Sequence, residues 1–105
     1  MFDRRGGRRK AKPWITVLDA RGEAIVDCPL SDFALPEATV LALSVEYFAD
    51  PEPCEIHRAA VHKRAMMELL AHCTPDTNVP ITALNVEHRR FFAPEARFVR
   101  LEERC

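Results

Sequence analysis

No Cys-x-x-Cys pair occurs in this chain, no Gly-rich phosphate loop, no nucleophile elbow, and no apolar run near the roughly 18 residues of a membrane span. Each absence removes a class of function. Without paired cysteines, Cys28, Cys54, Cys73 and Cys105 read as scattered free thiols of a reducing compartment, most of them buried as small apolar groups, with Cys105 exposed at the end. Phosphate-loop and hydrolase-type serine chemistry have no sequence support. The arginines near the start are followed only by WITVL before Asp19, so no secretory apolar region follows them. The expectation is a cytoplasmic chain that makes no membrane contact. No internal repeat is present.

What is there is an ordinary globular composition, 48% hydrophobic and 30% charged over 105 residues, enough for one core. Its net charge of −1 conceals a division. Residues 1–12 hold Arg4, Arg5, Arg8, Arg9, Lys10 and Lys12 against the single acid Asp3, whereas the rest carries nine basic and fifteen acidic side chains. The expectation is a flexible basic arm over 1–12 and a single domain over 13–105.

The clearest element is residues 50–73, DPEPCEIHRAAVHKRAMMELLAHC. Pro51 and Pro53 stand where a helix start tolerates them, Glu52 and Glu55 favour its positive end, and Thr74-Pro75 closes it. At about 100° per residue, Ile56, Ala59, Ala60, Met66, Met67, Leu69, Leu70 and Cys73 make a core-facing stripe. His57, Arg64, Glu68 and His72 make a solvated face, with Val61 stranded on it and Lys63 projecting from within the stripe. Arg64 with Glu68, and Glu68 with His72, are spaced to touch.

Before this helix, Trp14–Leu18 alternates with Ile15 and Val17 on one side, and Glu23–Cys28 is a second strand; Asp19 opens and Gly22 closes a hairpin turn between them. Phe33 is expected under the core. Residues 36–49 fit two periods. A helix aligns Ala38, Leu41, Ala42, Val45, Phe48 and Ala49, and a strand alternates Leu41, Leu43, Val45 and Tyr47. The Pro-Glu-Ala opening and the alanines favour the helix, although Leu35 is a poor N-cap. As a helix, it forms an antiparallel pair with the long one across a connection at Asp50–Pro53. After the long helix, Val79–Val86 alternates as a strand that Pro80 confines to an edge, residues 87–92 extend it or form another, and Arg97–Glu102 is a further strand with a terminal helix as its rival. The fold class is α+β: a small, mainly antiparallel sheet of about four strands, covered on one face by a long central helix and a second helix.

Three chemistries have candidate residues. Phosphate or acidic-partner binding falls to the arm, Arg4, Arg5, Arg8, Arg9, Lys10 and Lys12, with Arg89 and Arg90 as a second basic group. For metal, Cys54-x-x-His57 has ligand-like spacing, but sixteen residues of helix, about 24 Å at ~1.5 Å per residue, separate His57 from Cys73. One helix cannot close that site, and no metal or other cofactor is expected. A thiolate–imidazole pair would use Cys54 with His57 or His62. An interface for a protein partner or a twofold homodimer falls to Val61, Lys63, Met66 and Met67. The function expected is a small cytosolic interaction or regulatory protein that acts without catalysis by docking to another macromolecule. The alternative is a nucleic-acid accessory protein using the arm, and the third is a thiol- or metal-dependent enzyme.

Overall fold

The structure is a computed structural model that describes residues 11–104; the candidate residues Arg4, Arg5, Arg8, Arg9 and Lys10, and Cys105, lie outside the described residues. Strands β1 (Lys12–Leu18) and β2 (Ala24–Pro29) form the expected hairpin. The Asp19 carboxylate accepts the N–H groups of Arg21 and Glu23 at 2.9 and 3.0 Å, and Gly22 takes the left-handed conformation at φ 81°. That is the turn chemistry the Asp and Gly imply. The chain returns to the sheet at β3 (Val79–Pro80) and β4 (Phe98–Arg104), giving the antiparallel order β2-β1-β4-β3. Ile15, Val17, Val99 and Leu101 face inward and are buried. The opposite face is closed by its own polar side chains: the Trp14 indole N–H donates to Asp27, Arg104 lies 4.4 Å over the Trp14 ring, and Arg100 and Arg104 both hold Glu102.

The ambiguous segment is helical, α1 (Glu37–Phe48), and the long helix is α2 (Glu55–His72). The two cross rather than run antiparallel. Glu37, on the first turn of α1, accepts two hydrogen bonds from Arg58, while Phe48, at its other end, stacks on His57 at 4.2 Å. An antiparallel α1 would carry Glu37 about 16 Å along α2 from the level of Phe48, beside its later turns. Instead both ends of α1 meet residues 57 and 58.

Both helices are also rotated relative to their apolar stripes. In α2 the core takes Val61, Ala65, Met66 and Leu69, with Cys73 just beyond its end, and Val61 is 0% exposed rather than on a solvated face. Ile56, Met67 and Leu70, expected in the core, are 78%, 59% and 49% exposed. In α1 the buried positions are Thr39, Leu43 and Ser44, and Val45 and Phe48 face outward. The polar flank of α2 is shared between neighbours and water: Arg64 and His72 stay exposed as expected, while His57 and Glu68 are half-covered. His57 bonds to Asp50 at 2.7 Å, Arg64 lies 3.9 Å over the Tyr47 ring, and Glu68 accepts from the buried His88 at 3.0 Å. His62 Nε2 donates to the Phe33 carbonyl at 2.8 Å. Arg64 and Glu68 do pair, at 3.8 Å, but Glu68 turns to His88 rather than His72.

The segment after β3 departs furthest from alternation. Pro80 stands on the edge strand, as expected, where its missing N–H breaks no bond to β4; the Ile81 N–H still donates to the Arg97 carbonyl at 2.9 Å, and a single 3-10 turn follows at Ile81–Ala83. Residues 86–89 then form a short helix, α3 (Val86–Arg89), where a strand was expected. Phe91 and Phe92 follow it into the core, and Phe92 sits 5.7 Å from the Phe33 ring, which closes the core where expected. The last segment is the strand β4 and not a helix.

Helix α1 ends on Ala49 in the left-handed conformation, φ 54°, with its N–H bonded to the Val45 carbonyl at 2.9 Å. A Cβ makes that conformation unfavourable by roughly 1 kcal/mol. Ala49→Gly is expected to raise unfolding free energy by up to about 1 kcal/mol, read as a shift of the urea midpoint at constant m.

Candidate docking surface

The outward stripe of α2 borders a groove of about 700 Å³. The groove exists because β2 leaves the sheet at Pro29, opposite Trp14, while β1 begins two residues earlier at Lys12 and Pro13, paired there only with β4. The chain then passes through a 3-10 turn at Leu30–Asp32 toward the helical layer, leaving a gap between this corner and α2. Pro13, Pro29, Leu30, Met66, Met67 and Leu70 make apolar walls, and Lys12, Lys63, His62 and Asp32 stand on the lining as its charged or titratable groups. Two ammonium groups against one carboxylate give the rim a positive bias. The volume falls in the range of small-ligand and peptide-anchor sites.

The expected site residues separate clearly. Lys63 and Met67 line the groove and are exposed, Met66 is its nearly covered floor at 6% exposure, and Lys12, the last residue of the arm, lies on its rim. Val61 is corrected: it is 0% exposed within the core and is available to no partner. Arg89 donates to the carbonyls of Leu84 and Thr82, both at 2.9 Å, and Arg90 makes two hydrogen bonds to Glu46. Arg97 likewise donates to the Pro94 carbonyl at 2.8 Å. These guanidinium groups hold α3 and its flanks in place, so the second basic group is spent on intramolecular partners.

The chain matches no protein-family model, no curated protein and no solved structure. The surface is therefore judged on its chemistry alone. Cys54 is exposed and directly precedes α2, and His57 is oriented by Asp50, yet no hydrogen bond joins Cys54 to His57 among the described residues. Burial pushes the Cys73 thiol up, and burial together with the Asp32 and Asp27 carboxylates pushes up that of Cys28, so both favour the protonated, less nucleophilic form. Among the described residues no three His, Cys, Asp or Glu side chains gather closely enough to hold a metal ion. Nor is any helix among them long and apolar enough to cross a membrane.

Nothing in the sequence pattern marks Leu70 or Ile56 as surface residues, since both continue the apolar stripe. The signal lay in Lys63, a charge centred on that stripe. A lysine there is compatible with burial only through its stem, and an outward stripe accommodates it without strain.

The ion pairs that orient α1, α2 and the strands predict an acid limit. The carboxyls of Asp19, Asp27, Glu37, Glu46, Asp50 and Glu102 are all held below their ordinary values, first of all by hydrogen bonds from the Glu23 N–H, Trp14, Arg58, Arg90, His57 and Arg100 respectively. Each is therefore more acidic folded than unfolded. Its contribution is present above the ordinary carboxylate range and disappears as pH falls through the folded value. The melting temperature is expected to be level between about pH 7 and 5 and to fall steadily below about pH 4.

Proposed function

We infer that this is a non-catalytic interaction protein of the cytoplasm, acting by docking to another macromolecule through the outward face of α2 and the groove beside it. One observation carries the reading: α2 leaves Ile56, Met67 and Leu70 in solvent, while His57 and Glu68 on its polar flank are half-covered by Asp50 and His88. Scattered exposed apolar residues are ordinary, but a row along one helix beside an apolar groove is the arrangement of an interaction surface. The positive rim formed by Lys12 and Lys63 suits an occupant that brings carboxylates with its apolar groups.

The test places a photoactivatable cross-linking residue at position 67 in the full chain, with position 77, an exposed turn residue, as control. Discrete adducts at 67 and none at 77 are the expected result. No adduct at 67 under illumination in cells overturns the reading.

A further inference from the structure

Along the outward face of α2 the residues are symmetric about Lys63. Ile56 and Leu70 lie seven positions to either side, and Ala59 and Met67 four. Ile56, Lys63 and Leu70 thus repeat at the heptad interval of a coiled-coil seam, with a lysine at the central position. Two such helices packed antiparallel about a twofold axis at Lys63 set Ile56 against Leu70 of the second copy, and Ala59 against its Met67. Each contact is a large residue on a large one at the ends and a small residue on a large one between.

Shape supports the same pairing. The groove lies along the later turns of α2, where Met66, Met67 and Leu70 meet Pro13, whereas Ile56 on the first turn is 78% exposed, the most protruding of the apolar side chains. One end of the helix therefore carries a knob and the other a hollow. Antiparallel packing brings each knob to the other copy's hollow, the self-complementarity that a twofold interface requires.

Charge agrees as well. Glu55 and Met66, eleven residues apart, share one flank of α2 at about 100° per residue. A twofold rotation keeps that flank on the same side of both copies, so Glu55 arrives with Ile56 at the groove whose far rim carries Lys12. The two Lys63 ammonium groups meet near the axis, where their stems pack and their charges turn to water. A lone lysine at a seam position fixes register at the expense of affinity.

We propose that the occupant of this surface is a second copy of the chain, docked antiparallel through α2 with Ile56 of each copy in the groove of the other and Glu55 facing Lys12. The proposal rests on the docking reading above and names its partner. The interface is isologous and small, and its affinity is restrained by the Lys63 pair.

Sedimentation equilibrium of the full chain between about 1 and 500 µM tests it. The wild type is expected in reversible monomer–dimer equilibrium. Ile56→Glu weakens association at least about tenfold with an unchanged far-UV spectrum, and Lys63→Leu tightens it about tenfold. Lys12→Glu and Glu55→Lys each weaken it, and the double variant recovers most of the loss. A wild type that is monomeric throughout overturns the proposal, as does a dimer indifferent to Ile56→Glu and Lys63→Leu, or a charge-swapped pair no stronger than its single variants. Cross-linking from position 67 separates this failure from that of the docking reading. Adducts at twice the chain mass support the second copy, adducts only of other masses overturn it and keep docking, and no adduct overturns both.

Discussion

Val61→Asp is expected to unfold the chain, and Ile56→Asp to leave its melting temperature within a few degrees of wild type. Both residues are aliphatic, both lie on α2, and they are five positions apart. Val61 is fully enclosed among residues of the core, and a carboxylate there has neither water nor a cation to receive it. The expected loss is several kcal/mol, a large part of the roughly 5–15 kcal/mol that holds a domain of this size together. Ile56 is mostly in solvent on the first turn of the helix, where an added carboxylate meets the favourable end of the helix dipole. Far-UV circular dichroism with thermal and urea melts reads both outcomes. The apolar stripe by itself predicts the reverse ranking, so a folded Val61→Asp beside an unfolded Ile56→Asp would show that α2 faces the other way.

Phe91→Ala is expected to lower stability by about 3–5 kcal/mol. Phe91 is 1% exposed and is the largest of the fully enclosed side chains. With Leu84 and Phe92 it fixes residues 84–92 to the rest of the molecule. Helix α3 has only four residues, too few to persist without tertiary support. Its other attachments are polar: the Thr39 hydroxyl donates to the Arg90 carbonyl at 2.6 Å, and Arg90 pairs with Glu46 at 2.9 Å. The Arg90–Glu46 pair is partly solvated, so Arg90→Ala is expected to lower stability by no more than about 1 kcal/mol. Urea titrations of the two variants should differ by several-fold in midpoint shift. Comparable shifts would mean that the arginine, not the phenylalanine, anchors the segment.

Local chemistry was legible in the sequence wherever it needed no distant partner. Asp19 and Gly22 announced the hairpin, Pro80 announced an edge, and the alternation of Ile15 and Val17 gave the inner face of β1 correctly. The existence of α2 followed from its periodicity, and that of α1 from its Pro-Glu-Ala opening and its alanines, since its period fitted a strand as well. Their orientation did not, because a stripe reports which side of a helix is apolar and not which side is covered. Here the polar flank engages distant partners, His57 with Asp50, Arg64 with Tyr47, and Glu68 with His88, and the last of these pairs is separated by twenty residues. No local pattern foretells that a histidine within EHRRFF is buried beside a glutamate of the preceding helix. The docking surface was half visible for the same reason. Lys63 and Met67 stood out, Val61 was placed on the wrong side, and Ile56, Leu70 and the hollow at Pro13 emerged only when β1 and α2 were brought together.

The orientation of α2 underlies both the docking surface and the pairing of two copies, and the adjacent methionines report it most directly. Met66 is 6% exposed and Met67 59%. Dilute folded protein would be treated briefly with hydrogen peroxide and the sulfoxide located by fragmentation mass spectrometry. Oxidation of Met67 several-fold faster than of Met66 is the result expected, with the difference vanishing in urea. Equal rates in the folded protein, or faster oxidation of Met66, would contradict the outward stripe.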